Sequence, residues 1–159
     1  MPDLYWLTRD PAPLCGMSHP GATTDWNALH DAGLGAVVCL ASERPSYDPA
    51  PLALLAAVQL EDLVAGGAPA NPEREQALIE GVVERITTHL VEKRRGVVVH
   101  CLAGRGRTGT VLGCVLVRLG EPPEDVIRRL DAVHRARSGR GWPESPWQAE
   151  RVRGFGEKG

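Results

Sequence analysis

Residues 96–117 read GVVVHCLAGRGRTGTVLGCVLV, and this stretch decides the fold. Its opening valines are typical of a buried strand, and the apolar run at 111–117 is typical of a buried helix. The glycines between them let backbone N–H groups converge, and the N-terminus of the helix adds positive potential. The stretch therefore predicts a strand, an anion-binding loop and a helix in succession.

Side chains within this loop suit the chemistry of phosphate esters. The positive field of the loop favours the thiolate form of Cys101, which is the nucleophilic form. Arg107 presents a planar, permanently charged guanidinium that suits two phosphoryl oxygens at once. The hydroxyl of Thr108 can donate a hydrogen bond to the Cys101 sulfur. When a group bound to that sulfur is released, this hydrogen bond makes the sulfur a better leaving group.

Residues 100–109, His-Cys-x-x-Gly-x-x-Arg-Thr-Gly, resemble the signature of the cysteine-dependent protein tyrosine phosphatases. The short chain is similar to the compact dual-specificity branch of that superfamily. The resemblance is strongest over residues 97–119 and extends over about 35–151. It implies that His100 orders the loop. It also implies a phosphate-binding loop made of Leu102, Ala103, Gly104, Arg105, Gly106 and Arg107.

Two other functions fit parts of the same stretch. Residues 104–109 match G-x-G-x-x-G, the dinucleotide-binding pattern. That function needs a later strand ending in an acidic residue about 20 positions on, whereas a proline pair and a helical segment follow here. A sulfurtransferase carrying a persulfide on Cys101 also fits, and it predicts thiocyanate formation from thiosulfate and cyanide.

The length indicates a single domain over residues 1–159, and the resemblance implies that it is a phosphatase domain. A net charge of −2 argues against nucleic acid as a partner. The cysteines lack metal-ligand spacing, and Cys39 and Cys114 lie in apolar runs where a buried, inert thiol is expected. We find neither a signal peptide nor an apolar run of about 18 residues, and a reactive thiolate must stay reduced, so we expect a cytoplasmic protein. We also expect a monomer that uses no metal or organic cofactor.

Strand and helix patterns alternate along the N-terminal half of the chain. A helix is expected over residues 25–32 with Thr23 or Thr24 as its cap. A buried strand is expected over 35–41. Residues 52–61 are ambiguous, because their beginning could be helical and their end extended.

Longer helices are expected in the rest of the chain. Asn71 and Pro72 are a typical cap and first turn of a long helix, and further helices are expected over 124–137 and after Ser145. The arginines of the 124–137 helix, Arg137 among them, are expected to form a solvated face. This alternation predicts an α/β fold with one central, mostly parallel sheet of about four to five strands, helices on both faces, and the ligand at the carboxyl ends of the strands.

Cleavage of a phosphate ester also needs a proton donor for the leaving oxygen. In the phosphatases that this chain resembles, the donor is an aspartate on a loop upstream of the cysteine, and Asp62 is the best match. It would protonate the leaving group and then act as the base that activates water. Glu61 stands where a proline is common, and Cys101 lies 39 positions after Asp62, so Glu61 and Asp48 remain candidates.

A second acidic motif lies after the phosphate loop. Trp142-Pro143-Glu144 mimics the acid loop of larger phosphatases, but it follows the arginine, where the family has no such loop. We therefore expect it to lead into the last helix. Gln148 on that helix resembles a family glutamine that helps to place the hydrolytic water, and a solvated helix residue is the alternative.

The charge of Arg105 is relevant to the class of substrate. A cation at this position resembles the phosphoinositide phosphatases, although those enzymes usually have a second basic residue where Leu102 stands here. Arg105 could equally point to solvent or pair with Glu61 or Asp62.

These residues predict hydrolysis of phosphomonoesters through a phosphocysteine on Cys101. The chain shows no insertion that would deepen the cleft, which favours phosphoserine and phosphothreonine as well as phosphotyrosine in proteins. One alternative is a phosphatase of polyanionic small molecules or lipids, such as inositol phosphates or phosphoinositides. Another is a non-catalytic module that binds phosphorylated ligands.

Overall fold

The computed structural model describes residues 3–157 as an α/β fold around a five-stranded sheet. The strands are β1 Tyr5–Thr8, β2 Leu14–Met17, β3 Leu34–Cys39, β4 Ala53–Ala57 and β5 Gly96–His100. The helices are α1 Trp26–Asp31, α2 Pro72–Thr88, α3 Gly106–Arg118, α4 Pro123–Ser138 and α5 Pro146–Glu157, with a π-helical turn His89–Lys93 after α2. Within the described residues, no helix combines the length and apolar character that crossing a membrane requires.

The sheet has the strand order β1-β2-β5-β3-β4, and only the β1–β2 pair is antiparallel. This confirms the predicted mostly parallel sheet. Strand β5 lies at its centre with a parallel neighbour on each side. The chain therefore leaves β5 at the carboxyl edge of the sheet, where ligands of parallel α/β folds bind.

Both faces of the sheet are covered, as predicted, but unequally. Val97 and Val99 pack in the larger core, which includes side chains from α2, α3, α4 and α5. Val98 points to the opposite face, where Trp26 and Leu29 of α1 cover a smaller core. Every residue of β5 is buried, and its three valines form the continuous apolar run that is typical of a strand covered on both faces.

The sequence pattern does not predict β1 and β2. Both strands are only four residues long, which is too short for a clear alternation. Gly16 of β2 also resembles a turn residue, but the fold uses it for close packing. A Cβ at Gly16 would overlap the ring of Tyr5 on β1.

The structure corrects one local prediction and resolves one ambiguity. Asp25, and not Thr23 or Thr24, caps α1 by accepting a backbone N–H, as Asn71 does for α2. Residues Ala53–Ala57 form a strand and not a helix. They pair in parallel with β3, so sheet pairing overrides the helical preference of this alanine- and leucine-rich segment.

Candidate active site

The backbone of the loop that follows β5 is fixed by close contacts. Cys101 directly follows the strand and is 2% exposed. Gly104 has φ +73°, and a Cβ there would overlap the carbonyl of Met17, so only glycine fits. The Leu102 carbonyl accepts a hydrogen bond from the His19 N–H at 2.9 Å. The loop is thus held against β2 and the segment after it.

The predicted nucleophile, arginine and acid share one cleft. Its volume is about 600 Å³. Arg107 lies in the first turn of α3, where the leading N–H groups of the helix have no intrahelical acceptor. The loop contributes Cys101, Leu102, Ala103, Arg105, Gly106 and Arg107 to the cleft, and Asp62 lines it from the facing loop. The arrangement can bind a phosphoryl group beside a thiol, with a carboxyl group nearby.

Asp62 lies next to the arginine of the phosphate loop. Its Oδ2 is 3.9 Å from Nη2 of Arg107, and its side chain is half exposed. Its Oδ1 accepts the Val64 N–H at 3.1 Å. Arg107 also donates from Nη1 to the carbonyl of Leu60 at 3.3 Å. The arginine therefore contacts the loop that carries the acid at two points.

The other two acid candidates are engaged elsewhere. Glu61 accepts the N–H groups of Ala70 at 2.6 Å and Asn71 at 3.0 Å. These hydrogen bonds, with the Ala70 N–H first, lower the pKa of Glu61, which opposes a role as proton donor. Asp48 accepts the Ala50 N–H at 3.0 Å. Neither carboxylate lines the cleft, so the geometry favours Asp62.

A buried carboxylate, Glu75, supports the acid loop from behind. It is 2% exposed, and its Oε2 accepts the Glu61 N–H at 3.1 Å. Burial raises the pKa of Glu75. Since Arg107 binds Leu60 and Glu75 binds the next residue, the start of the acid loop is fixed from both sides.

His100 lies under the catalytic loop in a network of hydrogen bonds. Its Nδ1 is 3.0 Å from the Cys101 carbonyl, which can only accept, so Nδ1 carries the proton. In the neutral ring Nε2 then accepts from the Tyr47 hydroxyl at 2.6 Å, and the Tyr47 ring stacks on Trp26. Burial lowers the pKa of His100 to about 4. The structure thus places His100 where it can order the loop as a neutral side chain.

Arg137 does not lie on a solvated face, and that prediction is wrong. It approaches the carbonyls of Ala103 and Gly104, each at 3.4 Å, and pairs with Asp3. Its guanidinium also lies 4.5 Å above the ring of Tyr5, whose hydroxyl donates to the Gly104 carbonyl at 2.6 Å. Because C=O and N–H point in opposite directions in a trans peptide, the N–H groups that follow these carbonyls point away from Arg137.

His134 packs beside this cluster and has a partner that the sequence did not reveal. Its Nδ1 lies 3.0 Å from Nη1 of Arg137 and must accept, because a guanidinium only donates. Its ring also packs edge-on against Tyr5. Burial lowers the pKa of His134 to about 4.

These two histidines predict a pH dependence of folding. In the unfolded chain they bind protons below their ordinary pKa of 6.5. Between pH 6.5 and 4 the unfolded state therefore binds more protons, and stability falls as pH falls, by up to ~1.4 kcal/mol per pH unit for each group. Urea unfolding at pH 7, 6 and 5 measures this slope. His134→Asn should reduce it, whereas His30→Asn, on an exposed histidine, should not; an unchanged slope in the first variant contradicts the assignment.

Arg105 forms a buried ion pair, which corrects the prediction for its side chain. Its Nη2 lies 2.7 Å from Oε2 of Glu144, and its Nη1 donates to the Gly141 carbonyl at 2.6 Å. The two side chains are 11% and 9% exposed. Arg105 therefore points neither to solvent nor to Glu61 or Asp62.

Two supporting residues remain predictions. Gln148 is 2% exposed, so it is not a solvated helix residue, and its Oε1 accepts the N–H groups of Glu144 and Ser145 at 2.8 and 3.3 Å. It does not line the cleft. The buried Thr108 hydroxyl has no hydrogen-bond partner within residues 3–157. The expected bond to Cys101 is thus not formed in this structure, and the donor is free for a later step.

Comparison with models of known families confirms the resemblance. Residues 15–121 match the family described as "Polymorphic toxin system, DSP-PTPase phosphatase". The chain belongs to this family. Like the family, this DSP-PTPase is a dual-specificity-type phosphatase that hydrolyses phosphate esters.

Solved structures show the same fold. A mouse putative dual specificity phosphatase, complexed with zinc tungstate, is 18% identical, with 96% of this chain and 87% of that chain covered and a TM-score of 0.68. Kinase associated phosphatase, with its catalytic-site cysteine replaced by serine, is 20% identical, with 99% and 95% covered and a TM-score of 0.63. PTPMT1, in complex with PI(5)P, is 19% identical, with 91% and 90% covered and a TM-score of 0.62.

Several side chains around the DSP-PTPase site are not predicted from the sequence: Tyr5, Glu75, Arg137 and Glu144. All four reach the site through contacts between distant segments, such as the Tyr5–Gly104 hydrogen bond across 99 positions. Two of the four carry a local signal, and that of Glu144 is the Trp-Pro pair that precedes it. Helix periodicity could have marked Glu75, which shares the buried face of α2 with Ile79 and Val82.

Proposed function

We propose that this DSP-PTPase hydrolyses phosphotyrosine, phosphoserine and phosphothreonine in proteins through a phosphocysteine on Cys101. The observation that carries the proposal is the single cleft lined by Cys101, Arg107 and Asp62. A module that only binds phosphorylated ligands would not need a carboxylate 3.9 Å from the phosphate-binding arginine.

The geometry supports a two-step displacement. In the first step the Cys101 thiolate attacks phosphorus, the P–O bond to the leaving group breaks, and the Asp62 carboxyl donates its proton to the leaving oxygen. Arg107 and the N–H groups at the start of α3 bind the remaining phosphoryl oxygens. In the second step the Asp62 carboxylate takes a proton from water, which attacks phosphorus and releases the thiolate and phosphate. We propose that the Thr108 hydroxyl, which has no other hydrogen-bond partner among residues 3–157, stabilises that thiolate.

The shape and charge of the cleft favour a protein substrate. Leu102 and Val64 line it and are 64% and 54% exposed, so apolar side chains next to a phosphorylated residue can pack there. The alternative of a polyanionic small molecule or lipid depends on the charge of Arg105. That charge is paired with Glu144, which favours the phosphoprotein.

The chemistry also restricts where the protein can work. A thiolate nucleophile must stay reduced, so we propose that the enzyme acts in a reducing compartment such as the cytoplasm. Its single phosphatase domain supplies the nucleophile, the phosphate-binding arginine and the proton donor, so we propose that it acts as a monomer.

Asp62→Ala tests the assignment of the acid. Loss of the proton donor should slow a substrate with a poor leaving group, such as phenyl phosphate, by ~100-fold or more. The effect on an aryl phosphate whose leaving group needs no proton, such as 2,4-dinitrophenyl phosphate, should be small. Values of kcat for a series of aryl phosphates measure this dependence.

Glu61→Ala is the matched control, because it removes the neighbouring carboxylate that binds Ala70 and Asn71. It should leave the leaving-group dependence as in the wild type. If Glu61→Ala shows the strong dependence and Asp62→Ala does not, the acid is Glu61.

A further inference from the structure

The buried pair of Arg105 and Glu144 sets the charge that the cleft presents to a substrate. Arg105 belongs to the phosphate-binding loop and lines the cleft, but its guanidinium is held by Glu144 at 2.7 Å and Gly141 at 2.6 Å. We propose that Glu144 is a specificity determinant that restricts this site to substrates with a single phosphoryl group, by neutralising Arg105. The inference rests on the proposed phosphatase function and refines its substrate class.

Glu144 is fixed too firmly for the pair to be incidental. Its carboxylate packs directly on Gly106, where a Cβ would overlap Oε1. Its backbone N–H donates to Gln148 at 2.8 Å, and the next residue, Ser145, donates from Oγ to the Gly67 carbonyl at 2.8 Å. The segment that carries Glu144 is thus tied to α5 and to the loop that carries the acid. The carboxylate lies directly against the backbone of Gly106.

The charges around the cleft are nearly balanced. The cations that line it are Arg105, Arg107, Arg137 and Arg140, and the anions are Asp3, Asp62 and Glu144. Arg107 serves the reacting phosphate, and Arg137 is paired with Asp3. Arg140 is exposed and has no ion pair among residues 3–157. With Arg105 neutralised, little positive charge is left for a second phosphate on the same substrate.

Removing the charge of Glu144 should therefore change selectivity. In Glu144→Gln the amide oxygen can still accept from Arg105, and Gly141 still holds the other nitrogen, so the guanidinium stays in place. Its charge is then no longer neutralised and adds to that of Arg140 at the rim. A polyphosphorylated ligand gains from both cations, whereas inorganic phosphate, bound at Arg107, gains little.

The test compares two inhibitors of aryl phosphate hydrolysis, inorganic phosphate and inositol hexakisphosphate. Glu144→Gln should lower the inhibition constant of the hexakisphosphate by ~10-fold, while that of inorganic phosphate changes less than ~3-fold. In the double variant Arg105→Gln/Glu144→Gln, the ratio of the two inhibition constants should return to its wild-type value. Glu124→Gln, which removes the carboxylate of an exposed pair with Arg153, is the matched control and should change neither.

Arg105→Gln alone gives an independent test should Glu144→Gln not fold. This variant leaves the Glu144 carboxylate without its cation, so the inhibition constant of the hexakisphosphate should rise by ~10-fold while that of inorganic phosphate changes less than ~3-fold. An unchanged ratio in either single variant, or a changed ratio that persists in the double variant, overturns the proposal.

Hydrolysis of the aryl phosphate by the wild-type protein tests the proposed phosphatase function independently of the role of Glu144. Without turnover the proposed function fails. The two affinities can then be measured by calorimetry on the Cys101→Ser protein, so the role of Glu144 is still decided.

Discussion

Cys101→Ser is expected to lose ~10⁴-fold or more in kcat towards an aryl phosphate while it still binds phosphate. A serine hydroxyl is far less acidic than a thiol, so the nucleophile would remain un-ionised. The loop should keep its shape, because Tyr5 and Arg137 hold its carbonyls and His100 holds that of Cys101. Steady-state kinetics and calorimetry with inorganic phosphate measure the two effects.

Chemical quenching during turnover completes this test. Wild-type protein should carry one phosphoryl group on the peptide that contains Cys101, and Cys101→Ser should carry none on it. Cys114→Ser is the matched control: this thiol lies in α3, and burial raises its pKa, so its loss should spare turnover. A Cys101→Ser protein that retains a tenth of wild-type activity would rule out the phosphocysteine.

Arg107→Lys is expected to reduce kcat/KM by ~10³-fold. Lysine keeps the charge but loses the planar fork that binds two phosphoryl oxygens. It also cannot both donate to the Leu60 carbonyl and lie beside Asp62, as the guanidinium does. The variant should therefore impair the placement of the acid as well as the binding of phosphate.

Kinetics with phosphotyrosine peptide and aryl phosphate measure this loss. Arg128→Lys, on an exposed arginine of α4 that pairs with Asp125, is the control and should retain full activity. If Arg107→Lys retains more than about a tenth of wild-type kcat/KM, the bidentate role of the guanidinium is wrong, since such donors each contribute ~10²-fold or more.

The parts of the site that the sequence predicts are those built from neighbouring residues. Strand β5, the loop and α3 follow one another without a break, so their spacing alone indicates an anion site with Cys101 and Arg107. Helix α2 is marked in the same local way by Asn71 and Pro72. The three consecutive valines of β5 indicate a strand that is buried on both faces.

The side-chain contacts that the sequence does not predict join segments that are distant in the chain. Arg105 has two acidic candidates on the facing loop, yet its partner lies 39 positions later, after α4. Arg137 has the spacing of an exposed helix residue, but the last turn of α4 lies against the loop. Neither periodicity nor helix propensity predicts the partners of Arg105 and Arg137, because these partners are determined by the packing of α4 and α5 against α3.

The position of Arg137 has a consequence for each catalytic cycle. By holding the carbonyls of Ala103 and Gly104, it aligns the peptide dipoles of the loop before any substrate arrives. Phosphate then binds to a loop that does not have to reorganise, and little of its binding free energy is lost to ordering the backbone. The slow motions that limit turnover are accordingly expected in the loop that carries Asp62, where the acid must meet leaving groups of different size.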